Sequence, residues 1–311
     1  MPEYLIGTGG WQYFYIPGLG RLEAYSKVFN FVEVNSTFYK LPKLSLVESW
    51  RRKVPLDFEF AVRMNRTVTH KLKLEPCEEA FKIFNYMLKV CNILRSEILV
   101  LQTPNSIKFT KKKIESTKDF FGSLNLGRLR IAWEIRGEDR VPNELLSFMQ
   151  DQNIIHCVDL SREEPLVESD HLYTRLFGKG KDNIYQFTDD ELKEIDHKIR
   201  IGEYEKASIS FHNIKMYKDA ARFRIFKETG KFPTITRNLG LESLRAVLSE
   251  DAKFPATKEE LIESQGWKVI DLTKEKRIHA RHLLQHLPQK KFQNLNEVIE
   301  SLRSSVRFQQ L

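Results

Sequence analysis

The sequence predicts a (β/α)8 TIM barrel followed by a small all-helical C-terminal appendage. Three observations predict it. Eight short strand-like stretches recur through the first 230 residues, most of them separated by amphipathic segments. Each strand-like stretch has an apolar face, and its other face ends in polar groups. The Gly-rich phosphate turn of a doubly wound open sheet is missing, because Gly7-x-Gly9-Gly10 does not fit G-x-G-x-x-G.

Residues 4–8 (YLIGT) read as the first strand and run into Gly9-Gly10-Trp11, a turn where glycine permits conformations other residues resist. Residues 22–29 read as a helix. In 31–35, Phe31, Glu33 and Asn35 alternate with Val32 and Val34, the period of two that sends side chains to opposite faces. Residues 44–53 have helical spacing, with Leu46, Val47 and Trp50 in one stripe. The third strand is 58–64 (FEFAVRM), and 77–95 is a long helix with Phe81, Phe84, Leu88 and Cys91 on one side. The alternation continues with strand 97–102, helix 111–124, strand 129–136, helix 143–153 and strands 154–160 and 171–178. Helix 189–203, strand 206–213 and helix 219–229 complete it.

The composition changes at Phe254-Pro255-Ala256-Thr257, which divides the chain into a barrel over 1–252 and a helical module over 253–311. Thr257-x-x-Glu260 is a capping box opening a short helix over 259–264. Residues 277–287, stopped by Pro288, and 295–306 read as two further helices. His279, His282 and His286 then share one helix face. That face reads as basic and solvated beside Leu283, Leu284 and Leu287, and with Arg277, Arg281, Lys290 and Lys291 it suits nucleic acid or a protein partner.

A 41% hydrophobic and 30% charged composition is that of a globular protein with a full core. No apolar run approaches the roughly 20 residues that span a bilayer, and the N-terminus lacks the basic and apolar regions of a signal peptide. The expected location is the cytoplasm, without membrane contact. Cys77, Cys91 and Cys157 are scattered, which excludes a disulfide framework or a cysteine zinc site. The formal charge of +8, with clusters such as Arg51-Arg52-Lys53 and Lys111-Lys112-Lys113, favours an anionic partner, nucleic acid being the commonest, the alternative being a surface that only keeps the protein in solution.

Strand parity locates a candidate site. The outward set includes Val32, Val34, Leu99, Leu101, Ile131, Trp133 and Ile209. The inward set is Thr8, Glu33, Asn35, Arg63, Gln102, Glu134, Arg136, Asp159, Arg175, Ser210 and His212. These groups fall late in their strands, and barrel sites form at the C-terminal strand ends. Carboxylates Glu33, Glu134 and Asp159 meet guanidiniums Arg63, Arg136 and Arg175, more charge than closing a barrel needs, since buried ion pairs are poor stabilisers. Arginine forks fit phosphate or carboxylate oxygens. Acids with an imidazole hold a divalent cation or share acid–base work. Trp11, Tyr13, Phe14, Tyr15, Phe38 and Tyr39 lie in the first two loops, either to stack on bases or sugars or to roof the mouth. His70 follows the third strand.

These motifs have a resemblance. IGTGGWQY, FVEVNSTFYKLP, Thr69-His70, QTP at 102–104, WEIR at 133–136, VDLSR at 158–162, YTRLFG at 173–178 and SFHN at 210–213 are similar to the YecE-like family, the domain-of-unknown-function family numbered 72. The match runs in order over about residues 4–230. It implies a TIM barrel with its site at this mouth, and carries Glu33, Asn35, Arg63, His70, Gln102, Glu134, Arg136, Asp159, Arg175 and Asn213 onto family motif positions. His212 departs from the family's pattern, in which many relatives have asparagine. The family's function is not established. The resemblance extends in shape to the xylose-isomerase-like group, which includes metal-dependent apurinic endonucleases.

The reading that follows is a metal-assisted phosphodiesterase or nuclease on DNA, with a repair role. Glu33, Asn35, Glu134, Asp159 and His70 are its candidate catalytic residues. Arg63, Gln102, Arg136, Arg175, Asn213, Trp11 and Tyr39 are its candidate substrate and phosphate ligands. Glu33, Glu134, Asp159 and His212 are its candidate ligands for Mg, Mn or Zn. The alternatives are a hydrolase or isomerase of a small phosphorylated or acidic metabolite, and a nucleic-acid-binding protein without catalysis.

Overall fold

The structure, a computed structural model, describes residues 2–137 and 140–305. Its first eight strands are β1 (Glu3–Thr8), β2 (Phe31–Val34), β3 (Glu59–Arg63), β4 (Ile98–Thr103), β5 (Arg130–Ile135), β6 (Ile155–His156), β7 (His171–Leu176) and β8 (Lys206–Phe211). They lie side by side in the order β6-β5-β4-β3-β2-β1-β8-β7, every pair parallel. A bridge between Val158 and Thr174 joins the two ends into a barrel. Parallel strands need crossovers, and these are α1 (Arg21–Ser26), α2 (Ser36–Tyr39), α3 (Leu44–Arg52), α4 (Glu78–Leu94), α5 (Lys111–Gly122), α6 (Asn143–Asp151) and α7 (Asp189–Ile201).

The pattern of each helix explains its place. On α4 the buried positions Ala80, Phe84, Met87, Val90 or Cys91, and Leu94 recur every three or four residues, the spacing of one helix face. Each such side chain contributes roughly 1.5–3 kcal/mol when fully buried. α5 opens at Thr110, whose hydroxyl accepts the Lys113 N–H. The sixth strand is shorter than the 154–160 expected, because the chain turns at Asp159, whose carbonyl accepts the N–H groups of Arg162 and Glu163.

Inside the barrel, Leu5, Phe31, Ala61, Ile98, Val100, Ala132, Ile155, Cys157 and Tyr173 form one buried apolar layer. One side-chain step further along these strands stand Gly7, Glu33, Arg63, Gln102, Glu134, Asp159 and Arg175. The period of two therefore stacks a polar layer on the apolar one, at the C-terminal strand ends. Thr8 does not belong to it. Leu5 sets the parity of β1, so Gly7 and Gly9 face inward, and the Thr8 hydroxyl lies 3.1 Å from the Tyr25 hydroxyl of α1.

The chain divides into two compact units, the first containing the residues up to Leu176 with His197–His212, the second Phe177–Asp196 with the residues from Asn213 onward. The division does not fall at 252/253. The second unit has α8 (Met216–Thr229), α9 (Gly240–Leu248), β9 (Ala256–Thr257), α10 (Lys258–Gln265), β10 (Val269–Asp271), β11 (Arg277–His279), α11 (Arg281–Leu284), β12 (Lys291–Phe292) and α12 (Leu295–Ser305). Leu241, Leu244, Val247 and Leu248 of α9 share a core with Leu283, Leu284, Phe292, Val298 and Leu302, which is why α9 belongs to this unit.

Two of the three expected C-terminal helices are present as α10 and α12, with the Thr257–Glu260 capping box in place. Two short antiparallel pairs, β10 with β11 and β12 with β9, accompany them. The helix expected over 277–287 is instead a strand followed by the short α11. His279 therefore does not share a helix face with His282 and His286, and its Nδ1 lies 3.0 Å from the Trp267 carbonyl. Val306, placed in the last helix by its pattern, lies outside the described residues. No helix among the described residues is long and apolar enough to cross a membrane.

Candidate active site

Arg175, on β7, is the centre of the polar layer and is 1% exposed. Its Nε and Nη2 donate to the two oxygens of Glu33 at 3.1 and 3.0 Å, and its Nη1 donates to Glu134 and, at 3.3 Å, to Gln102. Glu33 is fully buried and accepts a further bond from the Tyr173 hydroxyl at 2.9 Å. Burial alone would raise the Glu33 pKa, but Arg175, His212 and Arg63 more than offset it and hold the carboxyl well below its usual range. Glu134 is likewise lowered against its burial by Arg175 and Arg136, the latter donating to it through Nε. Both acids are therefore fixed carboxylates at neutral pH.

Arg63, at the end of β3, is held differently. Its Nη1 donates to the Asn35 amide oxygen at 3.0 Å and its Nη2 to the Gln102 amide oxygen. Its guanidinium lies 3.8 Å from the centre of the Phe38 ring. No carboxylate among the described residues forms an ion pair with it. Burial, helped by Arg175, brings its pKa down to about 10, which leaves it charged at neutral pH.

The loops around Arg63 are built to hold it. Thr37 of α2 places its hydroxyl 2.7 Å from the Val34 carbonyl and 2.6 Å from that of Arg63, tying the turn to two strand ends. That anchors Phe38 beneath Arg63. His70 sits in a single π-turn over Thr67–Lys71, closed by the Leu72 N–H bonding the Thr67 carbonyl. Its ring packs edge-on against Phe38 with centroids 5.0 Å apart, and its Nδ1 lies 2.9 Å from the Thr69 hydroxyl. Burial, then the charges of Arg63, Arg136 and Arg66, lower its pKa, so the imidazole is neutral at pH 7.

His212 packs at the β1–β2 side. Its Nε2 lies 3.0 Å from the Ser210 hydroxyl and 3.3 Å from Glu33, and its Nδ1 lies 3.5 Å from the Asn35 amide nitrogen. Burial and Arg175 lower its pKa in spite of Glu33. The Asn35 amide also donates to the Gly9 carbonyl at 2.8 Å. Gly9 is required there, since an added Cβ would meet the His212 ring and lie 2.6 Å from the Asn35 amide nitrogen. The next residue, Gly10, takes φ 124°, a backbone region that favours glycine.

The structure thus gathers Glu33, Asn35, Arg63, Gln102, Glu134, Arg136, Arg175 and His212, with His70 beside Arg63. Asp159 is buried, but its carboxylate is turned onto the Ser161 backbone and hydroxyl at 3.0 and 2.6 Å, with Arg162 at 3.7 Å. Asn213 belongs to the second unit, where its amide donates to the Tyr185 carbonyl and to Asp219 at 2.9 and 2.8 Å. That ties it to a hydrogen-bond network within that unit. Of the loop aromatics, Trp11 packs edge-on against Trp50 and Phe14 against Tyr25 and Phe29, whereas Tyr13, Tyr15 and Tyr39 are 83%, 70% and 70% exposed. Tyr173, absent from the inward polar set, bonds Glu33, and Phe38, expected to stack on a base or sugar or to roof the mouth, packs under the Arg63 guanidinium. Parity from Arg175 points to Tyr173, while nothing local marks Phe38 as the plane under a guanidinium.

Glu33, Glu134, Asp159 and His212 do not fit as ligands of one divalent cation. Both Glu33 oxygens and the Glu134 carboxylate are turned to arginine, and Asp159 to Ser161. Among the described residues no three His, Cys, Asp or Glu side chains gather at a spacing that would hold a metal.

The fold and this cluster define a (β/α)8 barrel with an arginine–carboxylate site at its C-terminal mouth. The chain belongs to the family described as "Protein of unknown function DUF72", whose profile matches residues 5–228. It is similar to the UPF0759 protein YecE of Escherichia coli, from strain K12 and from O157:H7, with 39% identity over 62 residues. That stretch is 20% of this chain and spans 23% of the length of those curated relatives. Among solved structures it is similar to a DUF72 family protein from Thermotoga maritima MSB8, with TM-score 0.57 and 23% identity over 73% of this chain and 99% of that one. A DUF72 family protein from Enterococcus faecalis V583 has TM-score 0.57 and 16% identity over 74% of this chain and 99% of that one. These likenesses show the barrel fold.

Proposed function

We propose that this barrel acts on a small anionic molecule, a phosphorylated or carboxylated metabolite, seated at the mouth against Arg63 and Arg136. One observation carries the reading. Arg63 is held by two neutral amides and an aromatic face, with no carboxylate among the described residues pairing with it. Amides orient a guanidinium without neutralising it. Summed over the cluster, Arg63, Arg136 and Arg175 against Glu33 and Glu134 leave one net positive charge, which an anion would balance. Glu33 and Glu134, held ionised, serve to fix Arg175 and Arg136, and are poorly suited to donate protons. The neutral imidazole of His70, beside Arg63, is the group with the chemistry of a general acid–base. Hydrolysis or isomerisation of the anion is the reaction class that such a set supports.

Calorimetric titration of inorganic phosphate and small phosphomonoesters tests the reading. A charge-assisted hydrogen bond contributes about 1.5–3 kcal/mol, so Arg63→Met is expected to weaken binding roughly 10- to 100-fold. Equal affinity in wild type and variant, or no binding of any anion, refutes it.

A second reading is DNA phosphodiester chemistry, supported by the +8 charge and by Tyr13, Tyr15 and Tyr39, whose exposed rings suit base stacking. Labelled single-stranded, nicked and abasic DNA, with and without chelator, separates the two. Cleavage lost in Arg63→Met supports the DNA reading, and salt-sensitive binding without cleavage identifies a binding protein instead. Neither outcome leaves the small anion as substrate.

A further inference from the structure

A cavity of about 210 Å³ lies between the loop that follows β4 and the loop that follows β5. Ile107, Phe109, Ile135 and Val141 form its walls, and Lys108 and Arg136 stand among its lining residues. Both loops leave the C-terminal ends of their strands, the end at which Gln102 and Glu134 enter the charged cluster. Arg136 belongs to both places. It lines the cavity, and its Nε donates to Glu134, which Arg175 also grips.

The cavity's chemistry contrasts with that of the cluster beside it. Phe109 is anchored edge-on against Trp133 with centroids 5.8 Å apart, and Ile107 is buried, so the apolar walls are supported from behind. A cavity of roughly 150 Å³ lined by such side chains accepts benzene. A space of about 210 Å³ therefore holds one ring with a short substituent. A nucleobase presents polar edges along its rim that need several fixed donors and acceptors, and among the described residues the cavity's polar side chains are the neutral Asn105 and Thr110 and the cationic Lys108, Arg136 and Arg140, the last three able only to donate.

We infer that this cavity is the second half of the substrate site and takes a small apolar ring, so that the substrate is an aromatic molecule carrying a phosphate or carboxylate. The inference rests on the reading that Arg63 and Arg136 hold the anion. The ring seats between Phe109 and Val141, and Arg136 reaches from the cavity wall toward the anion. Lys108 adds positive charge at the rim.

The test uses the full chain and three probes: inorganic phosphate, phenyl phosphate and benzyl alcohol. Burying the ring is expected to make phenyl phosphate bind roughly 10- to 100-fold more tightly than inorganic phosphate. Val141→Asn, at a partly exposed position, is expected to bring that ratio close to one, and Phe109→Ala to do the same by a separate change. Benzyl alcohol, a ring without charge, is expected to shift the methyl NMR signals of Ile107, Ile135 and Val141. Equal binding of the two phosphates to wild type, or a ratio that survives both substitutions, overturns the inference. Phosphate binding without any benzyl alcohol shifts overturns the ring cavity alone. Benzyl alcohol shifts without binding of either phosphate overturn the anion reading and, with it, the assignment of the substrate as an aromatic acid.

Discussion

Arg175→Met tests the account of the barrel interior most severely. Arg175 is 1% exposed and reaches both oxygens of a fully buried Glu33, together with Glu134 and Gln102. Methionine keeps most of the stem and removes the charge, leaving the buried carboxylate of Glu33 and the partly buried one of Glu134 without their shared partner. Breaking a buried ion pair by removing one side costs about 3–5 kcal/mol. At about 2–4 °C per kcal/mol, Tm is expected to fall by on the order of 10 °C at pH 7. The pH dependence is the sharper readout. In the wild type, burial pushes the Glu33 pKa up from 4.5, but Arg175 and His212 drive it far below that value. A depressed carboxylate stabilises the fold above its ordinary range and loses that contribution as pH falls through and below it. In the variant, burial dominates and the folded Glu33 takes a proton more readily than the unfolded chain does. The destabilisation is therefore expected to shrink between pH 7 and pH 5. Thermal unfolding followed by circular dichroism at both values checks this. A loss under about 1 kcal/mol, the scale of a surface pair, or the same loss at both pH values, refutes the reasoning.

Three further outcomes follow from the geometry. Gly9→Ala is expected to cost about 1–3 kcal/mol by overpacking and to weaken anion binding, because the new methyl displaces His212 and Asn35; unchanged stability and phosphate affinity would show the contact to be slack. His156 and His171 are buried and pushed down from 6.5 to about 4, so the unfolded chain takes their protons first. Stability from each is present above pH 6.5 and is expected to be lost at about 1.4 kcal/mol per pH unit as pH falls toward 4. His171→Gln should flatten that slope in denaturant titrations across the window. In the second unit, Thr257→Ala removes the hydroxyl half of a capping box and is expected to cost about 1 kcal/mol, whereas Leu284→Ala, in the buried core, costs about 2–5 kcal/mol. Equal effects of the two on urea midpoints would contradict the packing described.

Some misses had a signal in the residues. Leu241, Leu244, Val247 and Leu248 have the helical spacing of α9, although the composition change at Phe254 puts them on the barrel's side of the boundary. Tyr173 and Cys157 share the inward parity of Arg175 and Asp159 and follow from it directly. Other misses had none. Asn213 lies two residues past the end of β8, where strand parity no longer applies, and its burial against Asp219 depends on a helix that begins at Met216. His279 follows a helix-like pattern, yet its segment pairs with Val269–Asp271 as a strand, a choice made by tertiary contact over local preference.

The barrel, the apolar face of each strand and the gathering of Glu33, Arg63, Glu134 and Arg175 at one mouth are legible in the residue pattern alone. A period of two and a run of eight parallel strands leave those side chains no other place. Only the tertiary structure decided how they pair. Pairing depends on distances of a few ångströms between residues on different strands, 142 positions apart for Glu33 with Arg175 and 41 for Glu134 with Arg175, which no local pattern encodes. That pairing turns Glu33 and Glu134 into anchors for arginines rather than a metal cradle. It also leaves Arg63 held by Asn35, Gln102 and Phe38, with no carboxylate among the described residues paired to it.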